Sequence, residues 1–155
     1  MTNFEIENTK EFLNMLFTND KYDSFYLFEL RLKVELDYYI SGKLNKGYIQ
    51  DEMEADTDSD YIQWKDIKGT ILGLIKENRL PDSMKLILMF NADNVERLIE
   101  MNNLPISPEG VGGLFMNIYL EQGQMQLTTG TSMKVFTLDK TLEQVWDSTV
   151  SKYYI

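Results

Sequence analysis

Residues 113–154 read GLFMNIYLEQGQMQLTTGTSMKVFTLDKTLEQVWDSTVSKYY, and this stretch decides the predicted fold. Apolar and polar residues alternate in three segments of its first part, which is the spacing of β-strands. Turn-forming residues at Glu121–Gly123 and Thr129–Ser132 separate these segments. The sequence therefore predicts three short strands, which span Leu114–Leu120, Met125–Leu127 and Met133–Leu138.

The same stretch ends in a predicted amphipathic helix. Its apolar residues recur every three or four positions from Leu142 to Tyr153, which places them on one stripe of a helix. Asp139 is the predicted N-cap, because its carboxylate can accept a hydrogen bond from a free backbone N–H of the first turn. A meander with one apolar face and a helix with one apolar stripe can bury both against each other.

Further strands are predicted earlier in the chain. Every even position in Tyr26–Ile40 is apolar, and this run is longer than one average strand. We therefore expect two strands with a bend near Lys33–Glu35. Short strands are also predicted at Phe4–Ile6 and Tyr48–Ile49. Both faces of the predicted strand Met84–Phe90 carry apolar residues, which favours a central strand.

Three more helices are predicted from capping residues and apolar spacing. Asn8, with Glu11 three positions later, has the pattern of a capping box. Asp60 is expected to cap a helix that carries Trp64, Ile67 and Ile71, and Asn91 is expected to cap a short helix later in the chain.

The predicted order of elements is similar in the two halves of the chain. Each half reads as strand, helix, three strands and helix, and each closing helix carries the half's only tryptophan, Trp64 or Trp146. This similarity indicates an internal duplication. We therefore expect one α+β domain over residues 1–155, with antiparallel meanders packed against helices and a pseudo-repeat over residues 1–80 and 81–155.

An acidic loop is predicted at residues 51–60. Its second half, Asp56–Asp60, has the spacing of the start of a calcium-binding loop. The later positions do not fit, because Tyr61 stands where glycine is required and Ile67 stands where glutamate is required. An exposed, solvated loop is therefore favoured.

Histidine and cysteine are both absent from the chain. Catalysis by a thiolate or by a histidine base is therefore excluded, as are disulfides and the usual ligands of zinc. The remaining polar residues show no spacing that carries a mechanism. No catalytic residue, metal ligand or cofactor site is predicted, and a non-catalytic protein is favoured.

The charge balance bears on partners. With 15 basic and 25 acidic residues the net charge is −10, which disfavours binding to nucleic acid. No apolar run approaches the ~20 residues of a membrane span, and the first residues lack the pattern of a signal peptide. We expect a cytoplasmic protein without membrane contact that binds another protein or self-associates.

Exposed apolar positions are the first candidate site. Leu27, Tyr39 and Tyr119 lie on the otherwise polar side of their predicted strands, where a side chain can anchor a partner. A covering helix would explain the same positions. Gly69 and Gly73, one helical turn apart, predict close packing of their helix on the sheet, with contact to a partner helix as the alternative.

The second predicted turn of the opening stretch is the other candidate site. Its backbone amides and hydroxyl groups are suited to holding an anion, although a plain hairpin turn accounts for the same residues. The candidate anion ligands are Thr129, Thr131, Ser132 and Lys134.

Several segments resemble a family of short proteins from Firmicutes, mostly Clostridia, that is classed as a domain of unknown function. These segments are Gly113–Tyr119, Gly130–Asp139, Glu143–Asp147 and Tyr38–Gly42. The family has no assigned activity, so the resemblance implies no catalytic residue.

The predicted order of elements is also similar to one domain of a DNA sliding clamp, which is built from two strand–helix–three-strand units. Similar topology does not establish function. The main hypothesis is a cytoplasmic binding or interaction module. The alternatives are a clamp-like DNA-associated factor and a small carboxylate-dependent enzyme.

Overall fold

The computed structural model describes residues 1–49, 59–76 and 79–155, and residues 51–58 of the predicted acidic loop lie outside these ranges. The strands are β1 (Asn3–Ile6), β2 (Tyr26–Lys33), β3 (Asp37–Ser41), β4 (Ser83–Met89), β5 (Val111–Glu121) and β6 (Gln124–Met133). The helices are α1 (Thr9–Thr18), α2 (Lys46–Ile49), α3 (Trp64–Leu72), α4 (Ala92–Met101) and α5 (Thr141–Tyr153). The strands form one antiparallel sheet in the order β1-β6-β5-β4-β2-β3.

One face of the sheet, the inner face, carries the core. A row of apolar side chains crosses all six strands of this face, and its four central members are fully buried. Because strand residues alternate between faces, every second residue of the central strands enters this core. The row consists of Ile40, Leu30, Leu86, Ile118, Leu127 and Phe4.

Helices α1, α3 and α5 contribute their apolar stripes to the same core. Both tryptophans are fully buried, and each donates its indole N–H to a main-chain oxygen. Trp64 on α3 bonds to the carbonyl of Leu16 at 2.7 Å, and Trp146 on α5 bonds to the carbonyl of Phe115 at 3.0 Å. Each indole therefore fixes its helix to a neighbouring element as well as filling the core.

The α+β class and several local predictions are confirmed. The Asn8 side chain accepts the N–H of Glu11 at 3.0 Å and donates to its carboxylate at 3.1 Å. Asn91 caps α4 by accepting the N–H of Asn94 at 2.8 Å. The alternating run after Tyr26 forms two strands, β2 and β3, and β4 is a central strand.

The predicted turn at Thr129–Ser132 is wrong, because these residues continue β6. This strand pairs with β5 from Gln124 to Met133, and threonine favours strands. The predicted strand after Met133 is also wrong, and three of its apolar side chains are 71–87% exposed. These side chains are Val135, Phe136 and Leu138.

Two predictions at element ends are also wrong, and a third is displaced by one residue. Tyr48–Ile49 belong to α2 and not to a strand. Asp60 does not cap α3, and its carboxylate lies 3.1 Å from the ammonium of Lys46. Asp139 lies one residue before the N-cap position of α5, but its carboxylate accepts the N–H of Thr141, the first residue of the helix, at 2.9 Å, which is the predicted interaction.

The order strand, helix, two strands, helix occurs twice, as β1-α1-β2-β3-α3 and as β4-α4-β5-β6-α5, with α2 inserted in the first. Among the described residues, each half contributes three strands where four were predicted, so these residues do not form the two units of a clamp domain. Strand β4 pairs with β5, whereas β1 lies at the far edge beside β6. Strand pairing therefore differs between residues 1–80 and 81–155, and the internal repeat stays a prediction.

Candidate functional site

The face of the sheet opposite the core is the open face. In the ranges that the structure describes, the buried side chains of the helices all belong to the core on the inner side. Side chains on the open face are half-buried or exposed, and the buried Gly113 has no side chain there. Within those ranges no helix covers this sheet face, which makes it a candidate surface for a partner.

A row of cross-strand neighbours crosses the middle of the open face. Tyr39 on β3 is opposite Arg31 on β2, Arg31 is opposite Lys85 on β4, and Lys85 is opposite Tyr119 on β5. We call these four residues the central row. Tyr39 is 56% exposed and Tyr119 is 39% exposed. Three strand spacings separate the two tyrosines, which is about 14 Å.

Tyr39 is held in position by its neighbours. The guanidinium carbon of Arg31 lies 4.8 Å from the centre of the Tyr39 ring, a cation–π distance. The Tyr39 hydroxyl donates to a carboxylate oxygen of Glu29 at 3.2 Å, and the other oxygen lies 3.9 Å from the ammonium of Lys85. The hydrogen bond to Glu29, followed by its charge, raises the pKa of Tyr39 above its usual value. The ring is therefore exposed and also oriented.

An aromatic cluster lies beside the central row, toward one end of β2. The ring of Phe28 is 5.2 Å from that of Tyr61 and 5.2 Å from that of Phe115. The Phe115 ring lies over Gly113, where an added Cβ would come within 2.6 Å of it. Glycine at position 113 therefore leaves free the space that this ring occupies.

Leu27 is placed differently from its prediction, because it is fully buried and faces the core. A β-bulge between Leu27 and Glu29 inserts Phe28 as an extra residue, which moves Leu27 to the inner face opposite Leu88. Phe28 takes the outward position. Leu27 therefore does not belong to the open face, while Tyr39 and Tyr119 do.

The predicted anion ligands are not brought together in a turn. Thr129 is fully buried on the inner side and donates its hydroxyl to the carboxylate of Asp147 at 2.5 Å. The hydroxyl of Thr131 is buried, and no hydrogen-bond partner occurs among the residues described. Ser132 and Lys134 lie at the exposed end of β6 and just beyond it. A carboxylate next to Thr129 repels an anion there.

Sequence reasoning missed Arg31 and Lys85 as members of the site. The alternation of β2 and β4 placed both on polar positions, but nothing in one sequence shows that two strands 50 residues apart put these cations opposite each other. The aromatic cluster was missed because Phe28 lies at an apolar position of the β2 alternation, which indicates a side chain that faces the core. The bulge places it on the open face instead.

Neither a clustered metal site nor a membrane-spanning helix occurs in the described part of the chain. Across residues 1–49, 59–76 and 79–155, no group of three or more acidic side chains is arranged to hold a metal ion. Among the helices in those ranges, none combines the length and apolar character that crossing a bilayer requires.

The fold and this surface define an α+β protein with one sheet face packed on helices and one face open. The chain belongs to DUF5721, a family of unknown function, whose family model matches residues 15–155. The predicted resemblance to a family of unknown function is thereby confirmed. No curated protein matches the chain, and no solved structure matches it.

Proposed function

We propose that this protein is a non-catalytic binding module whose open face docks an acidic segment of a partner protein. The observation that supports the proposal is the central row, in which two exposed tyrosines flank two adjacent cations on an uncovered sheet face. Tyrosine and arginine are enriched at the energetic centres of protein interfaces. We further propose that the module works in the cytoplasm, in keeping with the absence of cysteine.

The charges of the central row favour an acidic partner. Arg31 and Lys85 are directly opposite each other on neighbouring strands, and like charges in this arrangement destabilise a sheet. Glu29 compensates in part through its contact with Lys85. A partner carboxylate placed between the two tyrosines would complete the compensation and gain a charge-assisted hydrogen bond.

A protein partner is favoured over nucleic acid. Affinity for a phosphate backbone grows with the number of cations that meet it. The open face carries two adjacent cations in its central row, and the acidic Glu5, Glu29 and Glu121 lie on the same face. The net charge of −10 adds general repulsion.

The test is a quantitative pull-down with three forms of the protein as bait. The forms are wild type, the double variant Tyr39→Ala/Tyr119→Ala, and Tyr48→Ala. Tyr48 is 86% exposed on α2 and supplies a matched loss of an exposed tyrosine elsewhere. A partner retained by wild type and Tyr48→Ala but lost from the double variant supports the proposal. Equal retention by all three forms refutes the open face as the site.

A second variant tests the partner's charge. Lys85→Glu reverses one cation of the central row and should release an acidic partner while leaving the fold intact, since Lys85 is partly exposed. Sedimentation of the protein alone distinguishes binding to a different protein from self-association. Unchanged capture by Lys85→Glu would contradict recognition of an acidic segment.

The two alternative functions stay predictions. A clamp-like factor should form a ring-sized assembly and bind DNA in a salt-sensitive way. A carboxylate-dependent enzyme should gain thermal stability with magnesium, manganese or calcium, because a ligand that binds only the folded form stabilises it.

A further inference from the structure

Strand β6 is longer than the edge strand that covers it. Its 10 residues pair with β5 on one side, whereas the 4 residues of β1 cover Met125–Thr128 on the other side. The N–H of Thr129 still bonds to the carbonyl of Thr2 at 3.0 Å. Beyond it, β6 continues to Met133 with no further strand beside it among the described residues. We call Gly130–Met133 the free edge of β6.

Main-chain groups of the free edge point away from β5. Successive residues of a strand direct their N–H and C=O groups to opposite sides. Thr129 bonds outward, toward β1, and Lys134 bonds inward, to the carbonyl of Gly110 at 2.9 Å. The alternation between them places the N–H and C=O groups of Thr131 and Met133 on the outer side. Within the described ranges these groups have no hydrogen-bond partner, and such an edge is a template for pairing with another strand.

The chain on both sides of the free edge turns away from it. Met1, which precedes β1, contacts α5, where its amino nitrogen bonds to the carboxylate of Asp147 at 3.4 Å and to that of Glu143. At the other end, Lys134 and Val135 form a bend directly after β6. The free edge is therefore open to a second strand of similar length.

The free edge lies apart from the residues that border the undescribed ranges. Asp60 bonds to Leu44 just beyond β3, and Lys76 pairs with Glu35 in the turn between β2 and β3. Strand β3 is at the opposite edge of the sheet, four strand spacings or about 19 Å from β6.

Exposed apolar side chains lie at the same corner of the molecule as the free edge. The loop from β6 to α5 is short, and its side chains Val135, Phe136 and Leu138 are 71–87% exposed. Met1, which contacts α5 beside this edge, is 76% exposed. Large apolar side chains that are exposed close together mark an interaction surface.

We propose that the free edge of β6 pairs with the same edge of a second copy of this chain, antiparallel and related by a two-fold axis. In this dimer Thr131 of one copy lies opposite Met133 of the other, so every outward N–H group meets a carbonyl. Ser132 lies on the axis, opposite Ser132 of the other copy. A register centred on Thr131 would instead require Thr129, whose N–H already bonds to Thr2.

A second copy is favoured over a flexible peptide because its edge is already ordered. A peptide loses conformational freedom in each residue that it orders, and an edge with two pairing residues offers few hydrogen bonds to offset that loss. The four exposed apolar side chains at the corner of each copy add contact, on the order of 100 Å² each when buried. With the two strand edges, eight of them approach the low end of specific interfaces, about 1,200 Å². The dimer is therefore weak, and it leaves the open face free.

Disulfide trapping tests the register, since the chain has no cysteine of its own. In the dimer the Cα atoms of the two Ser132 residues are about 4.5 Å apart, within the range that a disulfide spans. Ser132→Cys should therefore give a cross-linked dimer under mild oxidation. Ser41→Cys, at an exposed position of β3 on the opposite edge of the sheet, is the control and should stay monomeric. No cross-link in Ser132→Cys, or equal cross-linking of both variants, would overturn the proposal.

Sedimentation equilibrium measures dimerisation without a cross-link, and wild type should show a concentration-dependent monomer–dimer equilibrium. Phe136→Asp should weaken dimerisation at least about tenfold, because it removes an apolar contact and adds a charge. Met101→Asp places the same charge at an 80% exposed position of α4 and should dimerise like wild type. A wild type that stays monomeric at every concentration, or equal dimerisation by Phe136→Asp, would refute the interface.

The double variant Tyr39→Ala/Tyr119→Ala separates this interface from the open face. It should dimerise like wild type, because both tyrosines lie away from the free edge. Loss of the dimer in this variant, with retention in Phe136→Asp, would place self-association on the open face and overturn the proposal.

Discussion

Replacing Asp147 with alanine would remove a link between α5, β6 and the residues before β1. The Asp147 carboxylate accepts the hydroxyl of Thr129 at 2.5 Å and that of Thr2 at 2.9 Å. The N–H of Thr2 in turn donates to the Thr129 hydroxyl at 2.9 Å, which closes the network. Thr129 is fully buried, so its hydroxyl would lose this partner where water does not reach it.

The expected magnitude follows from these contacts. A hydrogen bond to a charged group contributes about 1.5–3 kcal/mol. Two effects reduce the stability that is lost with these hydrogen bonds. The Asp147 side chain is 20% exposed, and the Thr129 hydroxyl can turn to the Thr2 carbonyl at 3.5 Å. We therefore expect Asp147→Ala to lower the free energy of unfolding by about 2–3 kcal/mol. In a chain of this size that is roughly 4–12 °C in melting temperature.

Urea unfolding followed by tryptophan fluorescence measures this effect, since both tryptophans are buried in the native state. Glu96→Ala, at an exposed position of α4, is the control and should stay within about 0.5 kcal/mol of wild type. Thr129→Val should couple to Asp147→Ala by about 1 kcal/mol or more in a double-mutant cycle. A loss below about 0.5 kcal/mol for Asp147→Ala, or additivity in the cycle, would refute the reasoning.

Two further predictions concern a close approach and a buried phenol. Gly42→Ala should lower the free energy of unfolding by about 3 kcal/mol, because an added Cβ would overlap the carbonyl oxygen of Leu27. Gly47→Ala is the control. Equal melting temperatures for the two variants would contradict the prediction. Burial, aided by Tyr154, raises the pKa of Tyr22 above its ordinary value of 10.0. The folded protein therefore keeps the phenol protonated at a pH where the unfolded chain loses that proton. The contribution of Tyr22 to the free energy of unfolding is present below pH 10 and is lost as the pH rises above it. Tyr22→Phe should therefore flatten the alkaline fall in melting temperature, and an unchanged slope would count against it.

Much of the sheet was predictable because its two faces alternate along each strand. Leu86 of the inner face and Lys85 of the central row are sequence neighbours, as are Ile118 and Tyr119. Period-two spacing therefore assigned both sets of side chains before any pairing was known. The register between strands was not predictable, since it depends on contacts between segments far apart in the chain.

The failures have local physical causes. One inserted residue at Phe28 reversed the faces of β2 and moved Leu27 inward, and no composition signal marks such a bulge. The threonine-rich segment after Leu127 has both turn and strand character, and pairing with β5 decided in favour of the strand. The capping predictions were confirmed at Asn8 and Asn91, where the side chain of the cap bonds to its own helix.

The pairing of β1 with β6 also determines when the sheet can be completed during translation. Asn3 is opposite Thr128, so β1 leaves the ribosome before its partner, which lies 125 positions later in the chain. At about 5–20 residues per second, that delay is roughly 6–25 seconds. A nascent chain that has not reached β6 therefore cannot complete its sheet, and Phe4 cannot take its place beside Leu127 until Leu127 has been synthesised.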